Sequence, residues 1–470
     1  MRKRQEEIFL STTASSKIRQ FIHKYYETET ISLLDIRKIV FPIFVDQTLV
    51  ALLNFLNSSM VSGSGPEAIS AVNMVDSLNN MLINFFIAIA TGGTVVVAQY
   101  IGRREPEKAG KVTVQAILSS TLVALALCVF ILLFRMQVLN FLFGAAEKAV
   151  LDNAVIYITG SCLSYPFFAI FQSTLGAMRG MGDGRASMVL SVAMNAIYVA
   201  GNLLFINVLQ MGVLGVAVSV ILSRFIGSLM ALFFLFFIRK DLHIKLRDFL
   251  HLDLKLQKNI MYVGIPTGIE QVFFHSGRML TQTYIVPLGT ASIAGNAIAN
   301  SLAGILYIPG NTINLCIVTL VGQCIGAGKP KEAKKYMLSM TLLAGVLLLI
   351  SGVIYIAAAP LLVSFYKPLA ESADIAIKAM TINAIGMPTL WIWSFIIPSG
   401  LRAAGDVRFT SVVALVSMWL VRVILGYVLA VYLGFGVLGV WTAMVLEWSF
   451  RGSIFIFRMR GTKWYQHKII

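Results

Sequence analysis

The chain has 470 residues, of which 57% are hydrophobic and 13% charged, with a formal net charge of +16. Soluble domains carry roughly a quarter charged residues, so this composition excludes a soluble enzyme or binding domain and requires a membrane protein. Nucleic-acid binding is excluded as well, because the basic residues are dispersed over many short loops rather than gathered in one patch.

Residues 1–38 form a basic leader in which no apolar run and cleavage site follow the charges. Ile18, Phe21, Ile22 and Tyr25 recur at helical spacing with Lys17, Arg19 and Lys24 between them. That pattern suits a short helix lying on the inner leaflet, and a disordered basic leader is the alternative. Twelve apolar segments follow, at 39–60, 72–98, 112–134, 152–176, 186–206, 213–238, 260–286, 292–322, 336–364, 374–398, 409–432 and 437–457. Each is long enough to cross a hydrocarbon core as a helix, and none alternates as a barrel strand must. The expected fold is an all-α polytopic membrane protein.

Alternate loops fall on opposite sides of the membrane. One side, with both termini, holds 31 of the 38 basic residues, which places the termini in the cytoplasm of a multi-pass membrane protein. Cys128, Cys162, Cys316 and Cys324 show no metal-ligand spacing and read as packing residues, so no metal and no cofactor is expected.

The sequence repeats itself. AQYIGRREPEKAGK at 98–111 aligns with GQCIGAGKPKEAKK at 322–335, RGMGDGR at 179–185 with RAAGDVR at 402–408, and GVLGV at 212–216 recurs at 436–440. The offset is 223 or 224 throughout. Two halves of six spans each return to the same side, so they are parallel repeats about an axis along the membrane normal. The expected organisation is the leader 1–38, a lobe at 39–238, a linker at 239–259, a lobe at 260–457 and a tail at 458–470.

The first helix of each half carries Pro-x-x-x-acid-Gln, as Pro42 to Asp46 and Pro266 to Glu270. Proline removes a helical hydrogen bond, and a charge at membrane depth costs about 2.5–3.5 kcal/mol on insertion scales. Two readings stay open for Asp46 and Glu270. They are proton-coupling acids, or they are inner-gate partners of Arg179 and Arg402, themselves related by the repeat. The remaining intramembrane ionisable residues are Asp76, Arg224, His275, Arg278, Arg422, Glu447 and Arg451. Glu447 and Arg451 are spaced for pairing along one helix, with Arg422 at similar depth. His275 is a proton relay or a packing histidine. Asp76 lies near the outer start of the second helix, where water would reach it.

These motifs, in this two-times-six layout, resemble the multidrug and toxic compound extrusion (MATE) family over about residues 37–458. The resemblance implies cation-coupled export of small organic molecules, cationic or amphipathic, from a cavity between two lobes, without enzymatic chemistry. Several family carboxylates are replaced here, by Asn57 in the first helix, Asn202 in the fifth and Phe274 in the seventh, and Tyr198 stands where many members carry an asparagine in the fifth. A sodium ion wants several oxygens including carboxylates, so a proton is favoured over sodium as the coupling ion. Cavity candidates are Asn57, Tyr198, Asn202, Met387, Trp391 and Trp393. The expected partners are a small-molecule substrate and the lipid bilayer, with the protein a monomer. The rivals are a lipid-linked oligosaccharide or lipid flippase of the same superfamily, then an intramembrane enzyme, for which no HExxH or GxSxG is present, or a channel.

Overall fold

A computed structural model describes residues 25–61, 66–144, 146–242, 244, 246–467 and 469–470. The leader residues Ile18, Phe21 and Ile22, and the side chain of Asn57, lie outside the described residues. The described residues are almost entirely helical: α1 (Leu33–Val61), α2 (Pro66–Gly102), α3 (Pro106–Phe143), α4 (Lys148–Gly180), α5 (Gly184–Val208), α6 (Gly212–Ile238), α7 (Leu254–Thr283), α8 (Thr290–Leu306), α9 (Ile308–Gly326), α10 (Pro330–Ser364), α11 (Ala370–Ala403), α12 (Val407–Tyr432) and α13 (Gly436–Arg460).

Nine of these helices, among the described residues, are long and apolar enough to cross a bilayer on their own. The other spans are α1, α7 and α13, of 29, 30 and 25 residues, which carry the charges Asp46, Glu270, Arg278, Glu447 and Arg451. Twelve spans result, with α8 and α9 together making the eighth. That span was expected unbroken. It divides at Tyr307 because Pro309, in the first turn of α9, has no N–H to continue the ladder. Pro42 and Pro266, by contrast, lie inside helices that run on through them.

The repeats fold alike. At the end of α2 the Glu105 N–H bonds the Tyr100 carbonyl at 3.0 Å, and at the end of α9 the Lys329 N–H bonds that of Cys324 at 2.9 Å. Each is the long bond of a helix-ending turn. Arg104 and Gly328 take positive φ there, 63° and 73°, and Pro106 and Pro330 open the next helix. The GD turns also match, with Asp183 N–H to Met178 O at 2.9 Å and Asp406 N–H to Leu401 O at 3.0 Å. Each turn aspartate is held by an arginine at the end of the last span of its own half, Arg239 just after α6 and Arg458 in the last turn of α13, both at 2.6 Å.

The linker docks on α3, where Gln115 donates to the His251 carbonyl at 2.7 Å. Residues 25–32 cross to the other half and lie on α10, with Thr28 Oγ1 3.0 Å from the Tyr336 hydroxyl and Lys335 donating to the Glu27 carbonyl at 2.6 Å. The C-terminal segment closes over the turn after α11, its Trp464 fully buried and His467 3.4 Å from Asp406. The segments on either side of the two bundles are thus docked, and both described ends of the chain lie at the end of the bundle that carries the basic loops.

The halves meet along α2. Its Gly92 and Ile89 pack against Ile260 and Gly264 of α7, and Phe85 lies on Gly268. Nearer the basic end α2 meets α9, where glycine lets two backbones touch. A side chain on Gly102 would overlap the Gln323 carbonyl, and one on Gly326 would overlap the Gln99 carbonyl. Gln99 Nε2 donates to Ala403 O at 2.8 Å, and Gln323 Nε2 to Gly180 O at 3.1 Å. Each half therefore reaches into the other through the same motif. α9 packs on α1, α2 and α4 of the first half, whereas α8, its continuation toward the far end, packs chiefly within its own half. The seam is sealed at the basic end.

Candidate functional site

Glu270 is 7% exposed on α7. It accepts from Arg402 NH2 at 3.2 Å and from Ser411 Oγ at 3.0 Å, which join α7 to α11 and α12. Two residues earlier on the same helix, Gly268 packs on Phe85 of the other half. The carboxylate is therefore within one turn of the seam.

Asp46 occupies the equivalent place on α1 and is 4% exposed. Its surroundings differ. It lies beside Ser191 and Arg179, but it accepts only a long 3.4 Å bond from Gln47 on Oδ2, and Oδ1 has no hydrogen-bond partner among the described residues. Arg179 is half-buried, and its carbonyl accepts from Thr319 Oγ1 of the other half at 2.8 Å. The symmetric pair of ion bridges weighed from the sequence is thus formed on one side only, among the described residues.

Asp76 is not a wetted residue at a helix start. It accepts from Tyr157 at 2.8 Å and Asn79 at 3.3 Å, and Asn79 is bonded in turn by Tyr165 at 2.6 Å. Arg224 donates to Ser164 at 2.8 Å and stacks 4.6 Å from the Phe168 ring. Tyr198 and Asn202 belong to the same cluster, with Asn202 fully buried. This polar network fills the centre of the first half. Tyr157, Tyr165 and Asn79 were missed from the sequence. The available signal was an excess of hydroxyl groups at 157–165 in an otherwise apolar span.

In the second half, Glu447 is fully buried between two cations, Arg422 at 2.9 Å and Arg451 at 3.3 Å, and accepts from Ser417 at 3.2 Å. Arg451 also donates to Ser394 at 2.7 Å and lies 4.2 Å over the Phe395 ring. Arg422 and Arg278 line a cavity of about 220 Å³ together with Asn296, Asn300, Trp441 and Met444. Arg278 donates to Asn300 Oδ1 at 3.1 Å. His275 is half-buried on the turn before it.

Met387 and Trp391, expected to line a cavity, are core residues at 0% and 2% exposure. Trp391 stacks on Phe395 with ring centroids 4.8 Å apart, because the wide turn of α11 at Met387–Trp391 points these side chains inward. Trp393 is half-buried and packs on Gly452. Cys128, Cys162, Cys316 and Cys324 are buried and free.

Two parallel six-span repeats, sealed at one end and holding paired acids and arginines in their interiors, define the class: a polytopic carrier with two halves. Comparison with known proteins agrees. The MatE family model matches twice, at residues 42–204 and 266–428, stretches that begin 224 residues apart. The chain belongs to the MatE family, and is thus a multi-pass membrane transporter of the multidrug-efflux class rather than an enzyme. It is 26% identical to the "Uncharacterized transporter YisQ" of Bacillus subtilis over 91% of this chain and 94% of that protein. It is 23% identical to the "Probable multidrug resistance protein NorM" of Thermotoga maritima over 92% and 93%. Its fold matches an outward-facing multidrug resistance MATE family transporter of the MOP superfamily, with a TM-score of 0.82, 20% identity and coverage of 91% and 94%. It matches equally a MOP superfamily transporter from Pyrococcus furiosus described by the reverse polarity of its binding pocket, with a TM-score of 0.82, 21% identity and the same coverage.

Proposed function

We propose that this protein is a proton-coupled exporter of small amphipathic organic compounds. It works as a monomer in the bacterial plasma membrane, with both termini cytoplasmic, by rocking the lobes 39–238 and 260–457 against each other. The observation that carries this reading is the position of Glu270. It binds α7 to α11 through Arg402, while the adjoining turn of α7 forms the seam with α2. Protonation of Glu270 would cancel its charge and release Arg402, freeing α7 near Pro266 to move relative to α2. Asp46, with Pro42 and Arg179, takes the corresponding part on α1. Its unpartnered Oδ1 suits a carboxyl that gains and loses a proton. With the basic end cytoplasmic, the sealed seam corresponds to a resting state closed to the cytoplasm.

The purified protein in vesicles, loaded with an amphipathic dye, is the test. Efflux should accelerate under an imposed pH gradient and not under a sodium gradient. Acceleration by sodium alone would overturn proton coupling, and dye flux that does not saturate would point to a channel.

A further inference from the structure

The interior charges of the two halves do not balance alike. The first half holds buried Asp46 and half-buried Asp76 with half-buried Arg179 and Arg224, equal numbers of each sign. The second half places Arg278, Arg402, Arg422 and Arg451 against only Glu270 and Glu447. Glu270 serves Arg402, and Glu447 is shared by Arg422 and Arg451. That sharing leaves one of the two positive charges without a carboxylate. Arg278 makes no ion pair among the described residues, and its bond to Asn300 is to a neutral amide. Two positive charges therefore remain without a carboxylate, one on Arg278, whose side chain is exposed, and one shared by the buried pair Arg422 and Arg451, where an unpaired charge is expensive.

Both of the arginines that face open space face the same space. Arg278 and Arg422 line the cavity of about 220 Å³, and Arg422 Nε is buried there without a hydrogen-bond partner. The rest of the lining includes an apolar and aromatic wall, Met444 and Trp441, and three amides, Gln282, Asn296 and Asn300. Asn296 is 3% exposed and fixed by Trp441 Nε1–H at 3.0 Å, so the polar part of the wall is held in place. Guanidinium groups bind carboxylate, sulfonate and phosphate by charge-assisted, often bidentate hydrogen bonds. A site with two such groups, no free carboxylate and an aromatic side repels cations.

We infer that the cavity between α7, α8, α12 and α13 is an anion-selective substrate site. It takes the carboxylate or sulfonate end of an amphipathic organic anion on Arg278 and Arg422, with the apolar body against Trp441 and Met444. This inference rests on the exporter reading above and fixes its substrate class.

Three dansyl probes of similar size test it on the purified full chain. Dansylglycine is an anion, dansylamide is neutral and dansylcadaverine is a cation. Binding is read as probe emission sensitised by the protein's tryptophans. Dansylglycine should bind at least about tenfold more tightly than either other probe, the scale of one charge-assisted contact. Arg278→Gln should remove about that factor for dansylglycine alone. Arg278 has a neutral partner, so its replacement leaves no buried carboxylate unpaired. Arg278→Lys keeps the charge and should recover part of the loss. Equal or tighter binding of the cation, absence of binding by dansylglycine, or an equal loss for all three probes in Arg278→Gln would each overturn the inference. Gradient-driven efflux of a cationic dye by a protein that ignores dansylglycine would overturn the anion site and leave the exporter intact. Absence of gradient-driven efflux for both anionic and cationic dyes would instead sink the exporter reading.

Discussion

Arg402 donates to Glu270 at 3.2 Å, whereas Arg179, its counterpart by the repeat, forms no ion pair with Asp46 among the described residues. The two acids occupy matched positions one turn after a proline, so the difference lies in what surrounds them. Removing one partner of a buried pair leaves an uncompensated charge, and removing an unpaired buried carboxylate does not. Glu270→Gln should therefore lower stability by about 1–3 kcal/mol, below the buried-pair range because Arg402 is partly solvated. Asp46→Asn should leave stability unchanged or raise it. Both should reduce gradient-driven efflux at least about tenfold while substrate still binds. Thermal unfolding in detergent and efflux from vesicles separate the two effects. If Glu270→Gln transports at the wild-type rate with unchanged pH dependence, Glu270 is a structural residue.

The seam at the basic end is held by two amide-to-carbonyl bonds that no change of pH can break. Gln99 reaches Ala403 and Gln323 reaches Gly180. Replacing both with alanine removes two neutral hydrogen bonds of about 1 kcal/mol each, which favours the separated arrangement about tenfold or more. Cys316 reports on this directly, since it is buried on α9 close to Arg179 of the other half. With the other cysteines replaced, it should resist maleimide in the otherwise unaltered protein. It should label several-fold faster in the double variant. Gly102→Leu should act in the same direction, because a side chain there would overlap Gln323. Unchanged labelling in both would mean that the seam is not what separates during transport.

How far the sequence reached depends on range. The twelve spans were legible because a bilayer demands long apolar helices, and the repeat was legible because the turns conserve chemistry. Pro106 and Pro330 must open a helix, and Gly182 and Gly405 must accept φ of 85° and 102°. Intramembrane charges could be picked out one by one, since each is conspicuous at that depth. Their partners could not, because pairing across helices depends on rotation about each axis. Asp76 is the plain case. Ten residues into α2 it reads as shallow, yet Tyr157 and Asn79 converge on it. Met387 and Trp391 failed for the same reason, as a wide turn in α11 changes which way they point. The break at Tyr307 was within reach, since Pro309 stands in the sequence.

The network around Asp76 gives a prediction for the first half. Tyr157→Phe removes a donor at 2.8 Å from a half-buried carboxylate, which costs about 1–3 kcal/mol. Asp76→Asn in the same protein removes the charge that needed the donor, so the double variant should lose less than the sum of the single ones. A double-mutant cycle by thermal unfolding measures the coupling. Strict additivity would mean that Tyr157 stabilises the fold by packing alone.

Glu447 should be the most demanding of the intramembrane acids. It is fully buried, and it alone stands between Arg422 and Arg451. Glu447→Gln keeps the shape and the bond from Ser417 but leaves two guanidinium groups facing one another with no anion between them. Breaking one buried pair costs about 3–5 kcal/mol, and here a single substitution breaks two, which approaches the whole stability of a typical domain. The variant should give little folded protein, and its thermal midpoint should fall well below that of Glu270→Gln. Adding Arg451→Gln removes one of the stranded charges and should recover part of the loss, since Arg451 otherwise rests on Ser394 and the Phe395 ring. Yield after membrane extraction and unfolding temperature measure both variants. A Glu447→Gln protein as stable as the wild type would mean that water or an anion already screens the two arginines, and that Glu447 is free to take part in transport.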